Sequence, residues 1–412
     1  MKKLSLAKKP SNFFFLMIVT LVLLSIIRLI NHQPEKITEL NFASHLAQNT
    51  ETINSNNLIK YQLELKAEIQ QLITEKNLYN PPRGNVRLLV ISDLNSAYGS
   101  TEYEPEVQLG LDLIPFWQPD LVICSGDMIA GQKPSLTPTQ IRAMWSAFDA
   151  KIAKPLREMN MPFGFTVGNH DASSAVAFDK NKFLFQQERD LAVEYWQNPE
   201  HNSGVTFIDR FEFPFYYTFS AENIFFLVWD GSSSRIPPEK LAWVEKSLNS
   251  PEAKQAKMRI VIGHLPLYAV AIGRDYPGEV LNNALKIQAM LEKYQVHTYI
   301  SGHHHAYYPA HKGNLQLLHT GILGSGPRPL LQGDFPPMKT ITVVDINFAE
   351  DKLTTYTTYR MDTLELVEYE ELPRLLMGHN GMVIRRDIEW ENLTTTEKLT
   401  CEKNLGKILC QP

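Results

Sequence analysis

Cysteine is scarce in this chain: three residues in 412, with no CxxC pair of the kind that builds a structural zinc site. Cys124 sits in an apolar run and reads as a small buried hydrophobe. Cys401 and Cys410 lie in the C-terminal tail and would pair if that tail meets an oxidising compartment, a pairing that spacing alone leaves open. Charge of one sign is also lacking. Forty basic side chains face 45 acidic ones, a net charge of −5, so there is no global field or basic stripe for tracking a polyanion, and no nucleic-acid partner is expected. No repeat period or low-complexity block appears, and none of the GxSxG, GxxxxGK[ST] or HExxH patterns occurs, which removes the support for nucleophile-elbow, phosphate-loop and zincin chemistry. What remains is the composition of a folded globular chain, 44% hydrophobic and 10% aromatic, long enough for one large α/β domain with accessories.

The accessories begin at the N-terminus. Lys2, Lys3, Lys8 and Lys9 make residues 1–12 a basic tail. The apolar stretch 13–30 follows, interrupted by Thr20, Ser25 and Arg28. As a helix it spans roughly 27 Å, just enough for a bilayer. A cleaved signal peptide is the alternative, but the run is long for one and its exit lacks the small residues a signal peptidase needs. The reading is an uncleaved single-pass anchor, with the lysines in the cytoplasm and the rest of the chain outside it. Residues 31–84 read as a polar linker with one amphipathic helix on Ile59, Leu63, Ile69, Leu72 and Ile73, ended by Pro81 and Pro82.

From Val86 onward, five short apolar runs each stop at a polar cluster. VRLLVI (86–91) stops at Ser92 and Asp93; LVIC (121–124) at Gly126 and Asp127; FGFTV (163–167) at Gly168, Asn169, His170 and Asp171. RIVI (259–262) stops at Gly263 and His264, and HTYI (297–300) at Ser301, Gly302, His303, His304 and His305. Helical stretches are predicted between them near 106–115, 139–158, 180–197, 238–248 and 280–294. Alternating strands and helices predict a largely parallel sheet, whose ligands gather beyond the carboxyl ends of the strands. One aspartate or histidine there is usually a turn or surface group, whereas five clusters together point to a shared site. Carboxylates, an amide oxygen and imidazoles suit divalent ions such as Mn, Fe or Zn. Two such ions clamp a phosphoryl group and activate water, with no covalent intermediate on the protein.

Taken in order, Asp93-Leu94-Asn95, Gly126-Asp127, Gly168-Asn169-His170-Asp171, Gly263-His264 and Gly302-His303-His304-His305 resemble the DxH, GD, GNH[DE], GH and GHxH signature of the calcineurin-like metallophosphoesterases. Trp229-Asp230-Gly231, followed by Glu239, Leu241, Trp243 and Leu248, is similar to that family's strand, loop and helix. The resemblance implies an α/β fold, a four-layer α-β-β-α sandwich, over residues 85–350, with 351–412 as a C-terminal extension. It implies two divalent metal ions: Asp93 and His305 at the first, with Asn95 at the position of a further ligand there, Asn169, His264 and His303 at the second, and Asp127 between them. His170 matches the catalytic histidine, with Asp171 orienting it or capping a helix. The implied activity is hydrolysis of a phosphate ester or anhydride by a metal-activated water. The implied partners are a phosphorylated substrate and, through the anchor, a lipid bilayer. Asn95 departs from the pattern, which has histidine there, and predicts a looser first site. It also supports the alternative of a degenerate, non-catalytic, membrane-tethered binding module.

His304, between two proposed ligands, reads as pointing away from them, toward solvent or behind the site. The loop from Ser96 to Pro105, with Tyr98 and Tyr103, is a candidate lining of the substrate pocket. Arg235, Arg274 and Arg328 are candidate phosphate partners. Leu315–His319 and Thr340–Ile346 are predicted strands of a second sheet, with Phe225–Trp229 as another candidate, and Thr354–Tyr359 is strand-like.

Overall fold

The computed structural model describes residues 67–177, 182–350 and 352–411. The apolar stretch 13–30 and the linker through residue 66, including Ile59 and Leu63, lie outside the described residues. Among the described residues no helix is long and apolar enough to cross a membrane. The end of the linker is a helix over 67–75, whose Ile69, Leu72 and Ile73 pack half-buried against the core. The compact domain therefore starts before residue 85.

In chain order the strands are β1 (Val86–Ile91), β2 (Leu121–Cys124), β3 (Phe163–Phe165), β4 (Thr206–Glu212), β5 (Tyr216–Ala221), β6 (Ile224–Val228) and β7 (Met258–Ile262). They continue with β8 (Thr298–Ser301), β9 (Tyr308–Lys312), β10 (Leu315–His319), β11 (Thr340–Ile346), β12 (Thr354–Arg360), β13 (Leu375–Gly378) and β14 (Gly381–Arg385). They form two sheets, ordered β12-β11-β1-β2-β3 and β13-β14-β9-β10-β8-β7-β6-β5-β4. The two sheets expected are present, and the parallel strands are divided between them. β1, β2 and β3 run parallel in the first sheet, while β6, β7, β8 and β10 run parallel in the second. Thr340–Ile346 changes sides: it pairs antiparallel with β1 rather than joining the second sheet.

β1 is buried at every position, as are β2, β6 and β8, so both faces of these strands are covered and their sequences are mostly apolar. One apolar core joins the sheets. The Phe165 amide of β3 donates to the Tyr217 hydroxyl of β5 at 3.2 Å across the gap. Of the expected helices, 139–158 is broken: Pro138–Phe148, opened by a Thr137–Gln140 capping box, runs into a wider π turn at Asp149–Ala153 and then Lys154–Glu158.

The segment after residue 350 is less separate than expected. β12 completes the first sheet, and β14 extends the second by pairing with β9. Behind β13 and β14 a small cluster of Leu375, Met382, Ile384, Ile388 and Leu393 packs on Cys401 and Cys410, which are joined in a disulfide. Cys124 is buried and unbonded.

Candidate metal centre

The polar residues after β1, β2, β3, β7 and β8 meet where the ends of the two sheets converge. Asp93, Asp127, His303 and His305 have φ of +50°, +56°, +63° and +53°. Left-handed backbone costs a non-glycine residue on the order of 1–3 kcal/mol, so the surrounding fold forces these four side chains to turn inward. Two close approaches need glycine. A Cβ on Gly168 would lie 2.1 Å from Asp127 Oδ1, and one on Gly302 would lie 2.5 Å from Asp93 Oδ2.

His305 Nε2 stands 3.2 Å from Asp93 Oδ1, and His264 Nε2 stands 3.2 Å from Asp127 Oδ2 and 2.9 Å from Asn169 Oδ1. Two groups of donor atoms, each within 4.8 Å of one another, result: Asp127 with His264 and His303, and Asp93 with Asp127 and His305. Asp127 belongs to both. Each imidazole is aimed by its other nitrogen or by a neighbour: His264 Nδ1 donates to the Ser125 carbonyl at 2.8 Å, and His305 Nδ1 to the Gly326 carbonyl at 2.9 Å. Hydrogen bonds of this kind fix the tautomer of a metal-binding histidine. His303 Nδ1 is buried with no hydrogen-bond partner among the described residues. A buried nitrogen lone pair without a proton donor is costly, and a cation satisfies it. The donor set therefore fits a pair of divalent ions.

The model of the calcineurin-like phosphoesterases matches residues 86–307, more than half of the chain. The chain belongs to the calcineurin-like phosphoesterase family. A dimetal centre is the family's cofactor, and the two donor groups are placed to hold one. A purple acid phosphatase from seeds of yellow lupin (Lupinus luteus) has a similar fold, with 14% identity and a TM-score of 0.50 over 70% of this chain and 54% of that one. The phosphoesterase thus matches about half the length of that protein. A dimetal phosphatase from Danio rerio matches with 13% identity and a TM-score of 0.45, over 67% and 95% of the two chains. The anchor in the inner membrane complex of Plasmodium matches with 14% and 0.44, over 78% and 95%. No curated protein matches the sequence significantly.

Electrostatics in the phosphoesterase site follow from burial and proximity. Burial alone would lower His264, but Asp127 beside it, with Asp93 and the Ser125 carbonyl, outweighs burial and lifts the imidazole to about 9. Burial works to raise the carboxyls of Asp93 and Asp127, and the neighbouring histidines overcome it and hold both below the usual carboxylate range. Burial pushes His303 down to about 4, against the pull of Glu279.

For Asp171 and His304 one of the two readings given above holds: Asp171 caps the helix Asn169–Ala172 and His304 lies behind the site. Asp171 does not orient His170: its Oδ1 accepts the amides of Met128 and Ile129 at 2.8 and 2.9 Å, and its Oδ2 accepts that of Gly168 at 2.7 Å. Both oxygens are taken up in stapling the loop after β2 to the loop after β3. The Gly131 carbonyl instead accepts His170 Nδ1 at 3.1 Å. His304 is fully buried rather than solvent-facing, accepting the Val270 amide at 3.2 Å and bonding the Glu279 carbonyl at 3.0 Å. Asn95 is buried and its amide donates to the Asp127 carbonyl at 3.2 Å, while its side chain finds no hydrogen-bond partner among the described residues. Of the candidate pocket loop, Tyr98 lies beside His170 with ring centroids 5.1 Å apart and the rings tilted by 35°. Of the arginines, Arg274 reaches the site: its Nη1 lies 3.4 Å from His303 Nε2.

Sequence reasoning missed Gln132 and Glu188. Gln132 Oε1 accepts Asn169 Nδ2 at 2.7 Å, turning the Asn169 oxygen toward His264. The buried Glu188 carboxylate in turn accepts the Gln132 amide at 3.0 and 2.9 Å. No motif spacing marks either residue. Burial lifts the Glu188 carboxyl to about 7, above the ordinary value of about 4.3. The folded state then holds the proton more tightly than the unfolded one, so the Glu188 contribution is fully present below about 4.3 and is lost as pH rises through the folded value. Thermal unfolding across that window is expected to lose on the order of 1–3 kcal/mol through this group. Glu188→Gln should flatten the profile, and an unchanged slope would count against the assignment.

Proposed function

We propose that the protein is a catalytically active phosphoesterase that hydrolyses a phosphate ester or anhydride at two metal ions. The observation that carries this is the shared carboxylate of Asp127 between two groups of inward-facing donors, one containing the unpartnered His303 Nδ1. Asp93, Asp127 and His305 would hold one ion, and Asp127, Asn169, His264 and His303 the other. When bound, such a pair supplies Lewis-acid stabilisation of phosphoryl oxygens and lowers the pKa of water toward about 7.

The chain's own residues do the rest. The His170 amide donates to Asp127 Oδ1 at 2.8 Å, which fixes the carboxylate between the two groups. Because a carbonyl only accepts, the Gly131 bond places the His170 proton on Nδ1. Nε2, 4.0 Å from Asp127 Oδ2, then faces the site and is free to carry a second proton to a leaving oxygen. Tyr98 beside His170 forms one wall for the substrate. The purified protein with Mn is expected to turn over generic aryl phosphate mono- or diesters, with Asp127→Ala inactive and His170→Ala slowed. Absence of any turnover with two ions bound would favour the non-catalytic module.

Asn95 is the specific observation behind that second reading. The first group has two carboxylates and one imidazole, and the amide offers a weaker donor where the family pattern has nitrogen. Asn95→His is expected to tighten one of two metal-binding steps by about 10-fold or more, and a titration unchanged in affinity and stoichiometry would refute a role for this position.

The two sheets are proposed as the inner layers of a four-layer α-β-β-α sandwich, and residues 13–30 as a single-pass anchor in the bilayer with the site outside the cytoplasm. Supporting the location are the lysines that precede the apolar stretch and the Cys401–Cys410 disulfide, a bond that persists in oxidising compartments. A reporter fused after Pro412 should be active only outside the cytoplasm, and cytoplasmic activity would overturn the topology.

A further inference from the structure

The loop between β7 and the helix Ala284–Lys293 carries no family motif beyond His264, yet it is tied to the histidine run after β8. His304, buried between two proposed ligands, grips this loop at two points, accepting the Val270 amide at 3.2 Å and bonding the Glu279 carbonyl at 3.0 Å. That grip sets the Glu279 side chain against the neighbouring histidine: Glu279 Oε2 lies 2.8 Å from His303 Nε2. Arg274, from the same loop, pairs with the same carboxylate and stands 3.4 Å from the same nitrogen. A carboxylate flanked by a guanidinium is ionised and accepts, so the His303 proton sits on Nε2. Nδ1 is then left with a bare lone pair, and it is this atom that is buried without a partner.

We infer that Glu279 is a positioning residue for the second metal ion: it fixes the His303 tautomer and ring angle so that Nδ1 is presented to the ion, with Arg274 clamping the carboxylate and His304 holding the loop that carries both. The inference rests on the two-metal reading above. It gives a role to the middle histidine of Gly302-His303-His304-His305 and to two loop residues. Carboxylate–histidine–metal arrangements of this kind usually alter metal affinity by about 10–100-fold when the carboxylate is removed.

The test is titration of the metal-free full-length protein with Mn, followed by calorimetry and by metal analysis after dialysis. Glu279→Ala is expected to weaken one of the two binding steps by about 10–100-fold and leave the other unchanged, whereas Glu279→Gln, which keeps an acceptor oxygen facing Nε2, restores most of the loss. Two unchanged steps in Glu279→Ala overturn the inference, as does equal weakening of both steps or equal loss in the alanine and glutamine variants. A measurement that needs no variant covers the case in which Glu279→Ala fails to fold. Nitrogen chemical shifts of His303 in the metal-free protein should report the Nε2–H tautomer, and an Nδ1–H tautomer contradicts the inference. Failure of the hydrolase reading looks different: two ions bound at full affinity and no turnover, with the Glu279 dependence intact.

Discussion

Asp127→Ala is expected to remove both metal ions and to lower kcat/KM by about 10⁴-fold or more, the largest effect of any single change, because activation of water and charge stabilisation both depend on the ions. Asp127 is the one carboxylate common to the two donor groups. It is almost fully buried, so solvent does not replace it. It also receives the His170 amide at 2.8 Å, which means that its loss frees the proposed catalytic histidine as well as the ions. Asp127→Asn separates these parts. The amide oxygen still accepts from His170, but the negative charge that opposes two cations is gone, so metal loss should persist while the fold is kept. Metal content by elemental analysis, paired with kcat/KM on an aryl phosphate, checks the expectation. Two ions retained in either variant would show that Asp127 does not bridge them.

His170→Ala is expected to behave differently: both ions stay and kcat falls by about 10²–10⁴-fold, the usual contribution of a positioned general acid. The side chain belongs to neither donor group, and its nearest approach to Asp127 is 4.0 Å. Its Nδ1 is committed to the Gly131 carbonyl, leaving Nε2 as the proton carrier. The size of the loss should depend on the leaving group. A nitrophenolate, which departs without a proton, should suffer least, and an alkoxide most. A loss independent of the leaving group would make His170 a phosphate-binding group instead, and a loss of metal would make it a ligand.

Much of this architecture is legible in the sequence for a physical reason. Strands covered on both faces are largely apolar runs, so VRLLVI, LVIC, LQLLH and TITVVDI stand out and β1, β2, β10 and β11 fall where those runs predict. Their polar terminators are visible because a strand end is where the chain must turn toward the site. Pairing is not visible in the same way. Nothing local in Thr340–Ile346 tells whether it lies beside β1 or in the other sheet, since that is decided by distant partners, in the register of Val86 with Ile346. The proposed ligands were legible because each follows a strand. Their supports were not, because they act through contacts distant in sequence: Gln132 on Asn169, Glu279 on His303, and the Gly131 carbonyl on His170. Asp171 misled for the opposite reason. Adjacent to His170 in sequence, it spends one oxygen on the Gly168 amide of its own turn and the other on the Met128 and Ile129 amides of the loop after β2.

The central claim is that Asp93, Asp127, Asn169, His264, His303 and His305 share two cations, and anomalous diffraction from crystals of the protein grown with Mn tests it most directly. The account expects two peaks about 3.5–4 Å apart, both within bonding distance of Asp127, one next to Asp93 and His305 and the other next to Asn169, His264 and His303 Nδ1. A single peak, or two that do not meet at Asp127, would contradict it.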